Sequence, residues 1–167
     1  PVYNGEDYLA EALDSLLAQD YPKLEIVISD NASTDDTERI GREYADAHAS
    51  ITYVRQSDNL GASGNFDYLR RTADSEYFFW AGAHDLWDPQ FTSALVDRLE
   101  ADPDLIAAYP AGRFLEENGA KRERMGTPYS FMSRSASWRY IKMVLRRQLY
   151  IVYGVFRLDV LQEMIFW

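Results

Sequence analysis

Short strand-like runs alternate with helix-period segments along the first 110 residues, and no other feature of the chain restricts its fold as tightly. Tyr8, Leu9, Ala12, Leu13, Leu16 and Leu17 recur at helical spacing until Tyr21-Pro22 ends the pattern. Leu24 to Ser29 is short and β-branched, and predicts a strand. A second helix is predicted from Ser33 or Thr34 to Ala47, with Asp36 three residues after Ser33 in a capping-box arrangement. A strand over Ile51 to Arg55 follows, then a helix over 62–72, a strand over Tyr77 to Ala81, a helix over 89–100 and a strand over Leu105 to Tyr109. That rhythm predicts an α/β fold: a mostly parallel, doubly wound sheet with helices on both faces and right-handed crossovers.

After Pro110 the rhythm breaks. Asn118-Gly119 predicts a hairpin or mobile loop, followed by a helix over about 135–147 and a strand over Tyr150 to Phe156. Charge divides at the same place, with 22 acidic against 7 basic side chains in residues 1–110 and 5 against 10 in residues 111–167. The expected organisation is an α/β part over 1–110 and a basic, aromatic-rich part of the same domain over 111–167, where a second substrate would be gripped, incomplete at both ends. An overall charge of −10 argues against nonspecific nucleic-acid binding, which needs Lys and Arg on phosphates. No apolar run approaches the roughly 20 residues that span a bilayer, and no leader pattern is visible at the start, so a soluble domain is expected. Without Cys, any metal must come through oxygen or imidazole.

In open α/β sheets ligands bind at the carboxyl ends of the strands, so the turns there carry the candidates. Glu76 to Pro89 runs from a buried strand through Gly82-Ala83 to His84 and Asp85, which either bind a ligand or cap the turn before the next helix. Asp30 ends a strand and opens a helix, where a carboxylate can accept from a base N–H or a ribose hydroxyl and the helix start offers N–H donors; the alternative is a well-capped helix, which accounts for Ser33 and Asp36. Tyr3 could stack on a flat heterocycle or serve as a rim or core aromatic, while Asn4-Gly5 shape the turn. Asn59 to Asn65 is a small-residue turn able to let backbone approach a diphosphate. No GxGxxG or GxxxxGK[ST] occurs, which excludes the usual dinucleotide and P-loop fingerprints.

Four ordered blocks, PVYNGEDYLAEALDSLLAQDYP, EIVISDNASTDDT, ITYVRQSDNLGASGN and EYFFWAGAHDLWDPQF, together resemble the family 2 glycosyltransferases, inverting enzymes of the GT-A fold. The resemblance covers residues 1–110 closely and the remainder loosely. It implies transfer of a sugar from a nucleotide-diphosphate sugar to a hydroxyl of a glycan, lipid-linked or other acceptor, in polysaccharide or glycoconjugate synthesis. Tyr3 and Asp30 would hold base and ribose, with Pro1 lining the same site; Asn59, Gly61 and Asn65 would lie beside ribose and sugar. Ala83-His84-Asp85 occupies the place of the family's DXD motif, which makes Asp85 the expected ligand of Mg²⁺ or Mn²⁺, with His84 beside the donor. Oxygen ligands suit that hard ion, which offsets charge on the leaving diphosphate.

Two departures stand out. Ala83 replaces the motif's first Asp, so a catalytically impaired nucleotide-sugar-binding or regulatory module is the alternative reading. No acidic residue matches the family's general base; Asp159 and Glu163 are the local alternatives, and the base is expected beyond Trp167. A nucleotidyltransferase would carry a glycine-rich basic loop where PVYNGEDY stands. Lys142, Arg146, Arg147, Trp138 and Tyr140 either contact an anionic or lipid-linked acceptor or form a solvated helix face. The resemblance implies a cytoplasmic setting, with the inner face of the membrane as a variant of it.

Overall fold

The computed structural model describes residues 1–110, 112–115, 121–125 and 152–163. Helix α1 (Leu9–Leu17) buries Leu9, Ala12, Leu13 and Leu16, the stripe predicted by its spacing. Strand β1 (Ile26–Asp30) pairs in parallel with β2 (Ile51–Arg55), Ile26 opposite Ile51 and Asp30 opposite Arg55. Helix α2 (Thr37–Ala47) makes the crossover between them. On the other edge of β1, Val2 adds a parallel bridge: its N–H donates to Ser29 O at 2.9 Å, and Asn31 N–H donates to Val2 O at 2.9 Å. Helix α3 (Gly61–Thr72) follows β2.

A second sheet has the order β3 (Tyr77–Phe78), β7 (Val155–Arg157), β4 (Ala107–Ala108), with β7 central and antiparallel to both neighbours. Helix α4 (Phe91–Glu100) connects β3 to β4, and α5 (Leu158–Glu163) follows β7. Strands β5 (Gly112–Leu115) and β6 (Lys121–Met125) form an antiparallel pair, while Asn118-Gly119, where a hairpin or mobile loop is predicted, lies outside the described residues. The predicted helix over 135–147, with Lys142, Arg146, Arg147, Trp138 and Tyr140, lies outside the described residues. Among the described residues no helix is long and apolar enough to cross a membrane.

Three elements differ from expectation. Helix α2 begins at Thr37 and not at Ser33, because Ala32 takes a left-handed φ of 61° and Ser33 is used elsewhere, its N–H on Asp30 and its hydroxyl on Asn4. The strand predicted over Tyr77 to Ala81 makes ladder bonds only at Tyr77 and Phe78; Phe79 and Trp80 continue as core side chains, with Trp80 Nε1 donating to Phe66 O at 3.0 Å. The last predicted strand comes later, at Val155–Arg157, held by the Arg157 side chain, which donates to Leu105 O at 3.0 Å and Leu99 O at 2.8 Å. The bond to Leu99 O places a guanidinium on one of the last carbonyls of α4, a favourable charge at a helix end.

Gly41 brings α2 against the sheet. A Cβ there would lie 2.5 Å from the Tyr53 ring, too close for either group to keep its place. Gly41→Ala gains helix propensity of about 1 kcal/mol but overpacks this contact at a cost of roughly 1–3 kcal/mol. A net loss of about 1 kcal/mol is expected in urea unfolding; an unchanged or raised midpoint would refute the contact's importance.

Candidate functional site

The site forms where four loops meet at the carboxyl ends of the Val2 segment, β1, β2 and β3. The first two loops are laced together. Asn4, at a left-handed φ of 49°, donates its N–H to Ser33 Oγ at 2.9 Å and accepts from Thr34 N–H at 2.9 Å through Oδ1. Gly5 N–H donates to Thr37 Oγ1 at 2.8 Å, Glu6 N–H to Asp35 Oδ2 at 3.1 Å, and Asp36 N–H returns a bond to Glu6 Oε2 at 2.9 Å. The Asp36 N–H, which the start of α2 leaves open, is thus met by a loop 30 residues earlier in the chain.

Asp30 is fully buried at the end of β1. Its Oδ1 accepts from Ser33 N–H at 2.8 Å, and its Oδ2 accepts from the Tyr53 hydroxyl at 2.6 Å and from Arg55 Nη1 at 2.8 Å. Arg55 also donates to Ser33 O at 2.9 Å and pairs with Glu38 at 3.3 Å. Burial pushes the Asp30 carboxyl up, but the bonds from Ser33 and Tyr53 and the Arg55 charge outweigh it and hold the group below the usual carboxylate range. Burial and the Asp30 contact push the Tyr53 hydroxyl up to about 12. Both Asp30 oxygens therefore serve the protein, shaping the wall of the site from behind.

The third loop is tied to the second through Asn31, which sequence reasoning passed over. Its Nδ2 donates to Asn59 Oδ1 at 2.9 Å and Gly61 O at 3.2 Å, and its Oδ1 accepts from Leu60 N–H at 2.8 Å. A signal was present: Ser-Asp-Asn occurs at 29–31 and again at 57–59, and the two asparagines meet. Gly61 has a φ of 72°, and the space beyond its Cα is open. Asn65 is buried, giving its Nδ2 to Ser29 O at 2.9 Å and taking the Ser29 hydroxyl at 2.5 Å.

The fourth loop carries Ala83-His84-Asp85 and lies against the first, since a Cβ on Gly5 would sit 3.8 Å from that of Ala83. Asp85 N–H closes the turn on Gly82 O at 3.2 Å. Asp85 Oδ2 folds back over Gly82 into space that any Cβ there would fill. Among the described residues, the buried side-chain polar atoms without a hydrogen-bond partner are this oxygen and Trp87 Nε1. Burial raises the Asp85 carboxyl, and the His84 charge opposes it.

A buried carboxylate oxygen with no donor is costly unless a ligand, a cation or water completes it. Asp85 fits a hard divalent cation on that ground. Among the described residues no group of three or more His, Cys, Asp and Glu gathers to hold a metal. Such a cation would take one or two protein oxygens and the remainder from phosphate and water, as is usual for Mg²⁺ on a phosphorylated ligand.

Other candidates fall around this centre. Tyr3 is half exposed, Pro1 is half-buried, and Asn59, Gly61 and His84 are exposed. Asp159 and Glu163 lie on α5, which packs Leu158 and Leu161 against Leu69 and Trp80. Arg70 Nη1 donates to Leu161 O and Gln162 O, and Gln162 Nε2 returns bonds to Arg70 O and Ala73 O, so α3 and α5 close each other's carboxyl ends.

The family model described as Glycosyl transferase family 2 matches residues 1–158. An uncharacterised protein of Mycobacterium tuberculosis is 37% identical over 124 residues, covering 71% of this chain and 35% of that protein. An uncharacterised glycosyltransferase of Rickettsia felis is 37% identical over 125 residues, covering 72% of this chain and 20% of its own length. The chain thus spans about a third or less of these relatives. Among solved structures, S. aureus TarS 1–349 in complex with UDP matches with a TM-score of 0.67 at 22% identity, over 98% of this chain and 46% of that one. The mannosyltransferase PcManGT from Pyrobaculum calidifontis, in complex with GDP-Man and Mn²⁺, matches at 0.67 and 23% identity, over 97% and 44%. Three laced loops with a fourth lying against the first, a fold shared with these GT-A proteins and a family match over nearly the whole length lead to one conclusion: the chain belongs to glycosyl transferase family 2.

Proposed function

We propose that this domain transfers a sugar from a nucleoside diphosphate sugar to an acceptor hydroxyl, with inversion and with a divalent cation on the donor diphosphate. The observation that carries the reading is the unpartnered Asp85 Oδ2, buried in the turn that abuts the first loop. Family membership supports sugar transfer, and the nucleotides in the TarS and PcManGT complexes, with Mn²⁺ in the latter, support the donor class.

In this reading the exposed Tyr3 ring stacks on the base beside Pro1. The Asn59 to Gly61 turn, with open space at Gly61, admits the ribose and phosphates, backed by the buried Asn65. Asp30 keeps the wall rigid through Ser33, Tyr53 and Arg55. Asp85 supplies the carboxylate that a cation requires, with His84 at the exposed edge. A bound cation would offset the charge building on the diphosphate as it leaves. Inversion follows from one in-line displacement: the acceptor oxygen bonds to the anomeric carbon as the diphosphate oxygen departs, and a base takes the hydroxyl proton. That base is assigned outside the described residues, and the acceptor side to residues 111–167.

Ala83 supports a second reading, a donor-binding module without turnover, because it leaves a methyl group where the family's motif has a carboxylate. A thermal-shift series with UDP and GDP, each with and without Mn²⁺, tests the first step. At least one nucleotide should raise the unfolding midpoint, and raise it further with metal; no shift from any combination would sink both readings. Anomeric analysis of the product by NMR then decides between them. A product of inverted configuration supports transfer, and no turnover, even in Ala83→Asp, favours the binding module.

A further inference from the structure

We infer that Asn31 is a positioning residue for the donor, its one amide holding the Asn59-Leu60-Gly61 turn as a wall of the donor site; the inference rests on the nucleotide-sugar reading above. Asn31 is 3% exposed, and its backbone N–H is already committed to Val2 O at 2.9 Å, which anchors it to the first segment. From there its side chain crosses to the next loop and meets three successive residues. It donates to Asn59 Oδ1 and to Gly61 O, and it accepts from Leu60 N–H. Asn59 Oδ1 takes a further bond from Gly61 N–H at 2.8 Å, so the turn and the amide form one closed unit.

The turn has little else to hold it. Leu60 stands at the start of α3 without a side-chain cap of its own, is 47% exposed, and precedes a glycine in the left-handed region. Asn31 supplies the missing cap from 29 residues away. The chemistry needs an amide at this position. Aspartate keeps the acceptor for Leu60 N–H but sets lone pairs against Asn59 Oδ1 and Gly61 O, where two donors are required, and alanine leaves all three partners open. Because Gly61 faces open space, a shift of this turn alters the ligand's surroundings before it disturbs the core.

The full-length protein is titrated by calorimetry with UDP and with GDP, each with Mn²⁺, alongside Asn31→Ala, Asn31→Asp, Asn59→Ala and the Asn31→Ala/Asn59→Ala double variant. Urea unfolding of each gives the folded fraction, so that affinity refers to folded protein alone. We expect Asn31→Ala to weaken binding of the preferred nucleotide by about tenfold, and Asn31→Asp by at least as much. The double variant should bind within about twofold of Asn31→Ala, since the two asparagines act as one unit. If the wild type binds and folded Asn31→Ala binds equally well, the inference fails and the donor reading stands. Losses that simply add in the double variant also overturn it. If the wild type binds neither probe, the donor reading fails and takes this inference with it.

Discussion

Asp85→Ala is expected to remove the Mn²⁺-dependent part of nucleoside diphosphate binding, a loss on the order of 10²-fold, while leaving the fold at least as stable as before. The two halves of that expectation have one physical cause. Asp85 Oδ2 is buried over Gly82 without a donor among the described residues, and burial raises its carboxyl above the usual range. Such a group costs folding energy, and in the proposed reading a bound cation offsets that cost. Removing it therefore relieves the apo protein and disables the loaded one. Asp85→Asn separates charge from shape, because it keeps the side-chain volume but loses the anionic oxygen that a hard cation prefers. Both variants should show nucleotide affinity that no longer responds to Mn²⁺ in calorimetry, with an unfolding midpoint equal to or above the wild type. A full metal response in Asp85→Ala would refute Asp85 as the ligand, and a large fall in its midpoint would mean that the carboxylate serves the fold.

Asp30 presents the opposite case, and its largest effect should be on stability. Asp30→Ala leaves the Tyr53 hydroxyl, the Ser33 N–H and the Arg55 guanidinium without their shared acceptor. Breaking a buried charged pair costs about 3–5 kcal/mol, and the lower end applies because Arg55 is partly exposed and retains Glu38. That is a large share of a typical folding free energy of roughly 5–15 kcal/mol. Asp30→Asn keeps the shape but must set its NH₂ against either the Ser33 N–H or the Tyr53 and Arg55 donors, so it too is destabilising. The pH dependence follows from the depressed folded-state value. The contribution of Asp30 is fully present above the unfolded carboxyl pKa near 3.9 and is lost as pH falls through the lower folded value. Urea unfolding between about pH 3 and 7 should therefore show a gap between wild type and Asp30→Asn that is widest near neutrality and closes in acid. Curves that stay parallel would show that the carboxylate is not held as an anion. Nucleotide affinity should fall along with stability, since Ser33 and Arg55 shape the same wall.

These two aspartates end neighbouring loops and look alike in sequence, each a carboxylate at a strand's carboxyl end before a helix. Nothing in their local pattern distinguishes a residue satisfied three times over from one left unsatisfied. The difference comes from β2: parallel pairing sets Arg55 opposite Asp30 and carries Tyr53 onto the same face, and among the described residues no such strand reaches Asp85. The predicted helix start at Ser33 failed for a related reason. A capping box is a local device, and here Ser33 was claimed by Asn4, 29 residues earlier. Asn31 went unnoticed because an asparagine in a turn has a sufficient local explanation.

What the sequence determined by itself was the alternation of apolar periods, and with it the α/β class, the placing of the turns at one end of the sheet and the four ordered blocks that resemble the family. Those are properties of residues near one another in the chain, and periodicity reports them directly. The tertiary structure alone decided which turn side chains are met by partners within the protein and which are not. Asp30, Asn31 and Asn65 are consumed by partners more than 20 residues away, whereas Asp85 Oδ2 is left without one. A buried polar group takes its role from whether its hydrogen bonds are met, and only the packed loops determine that.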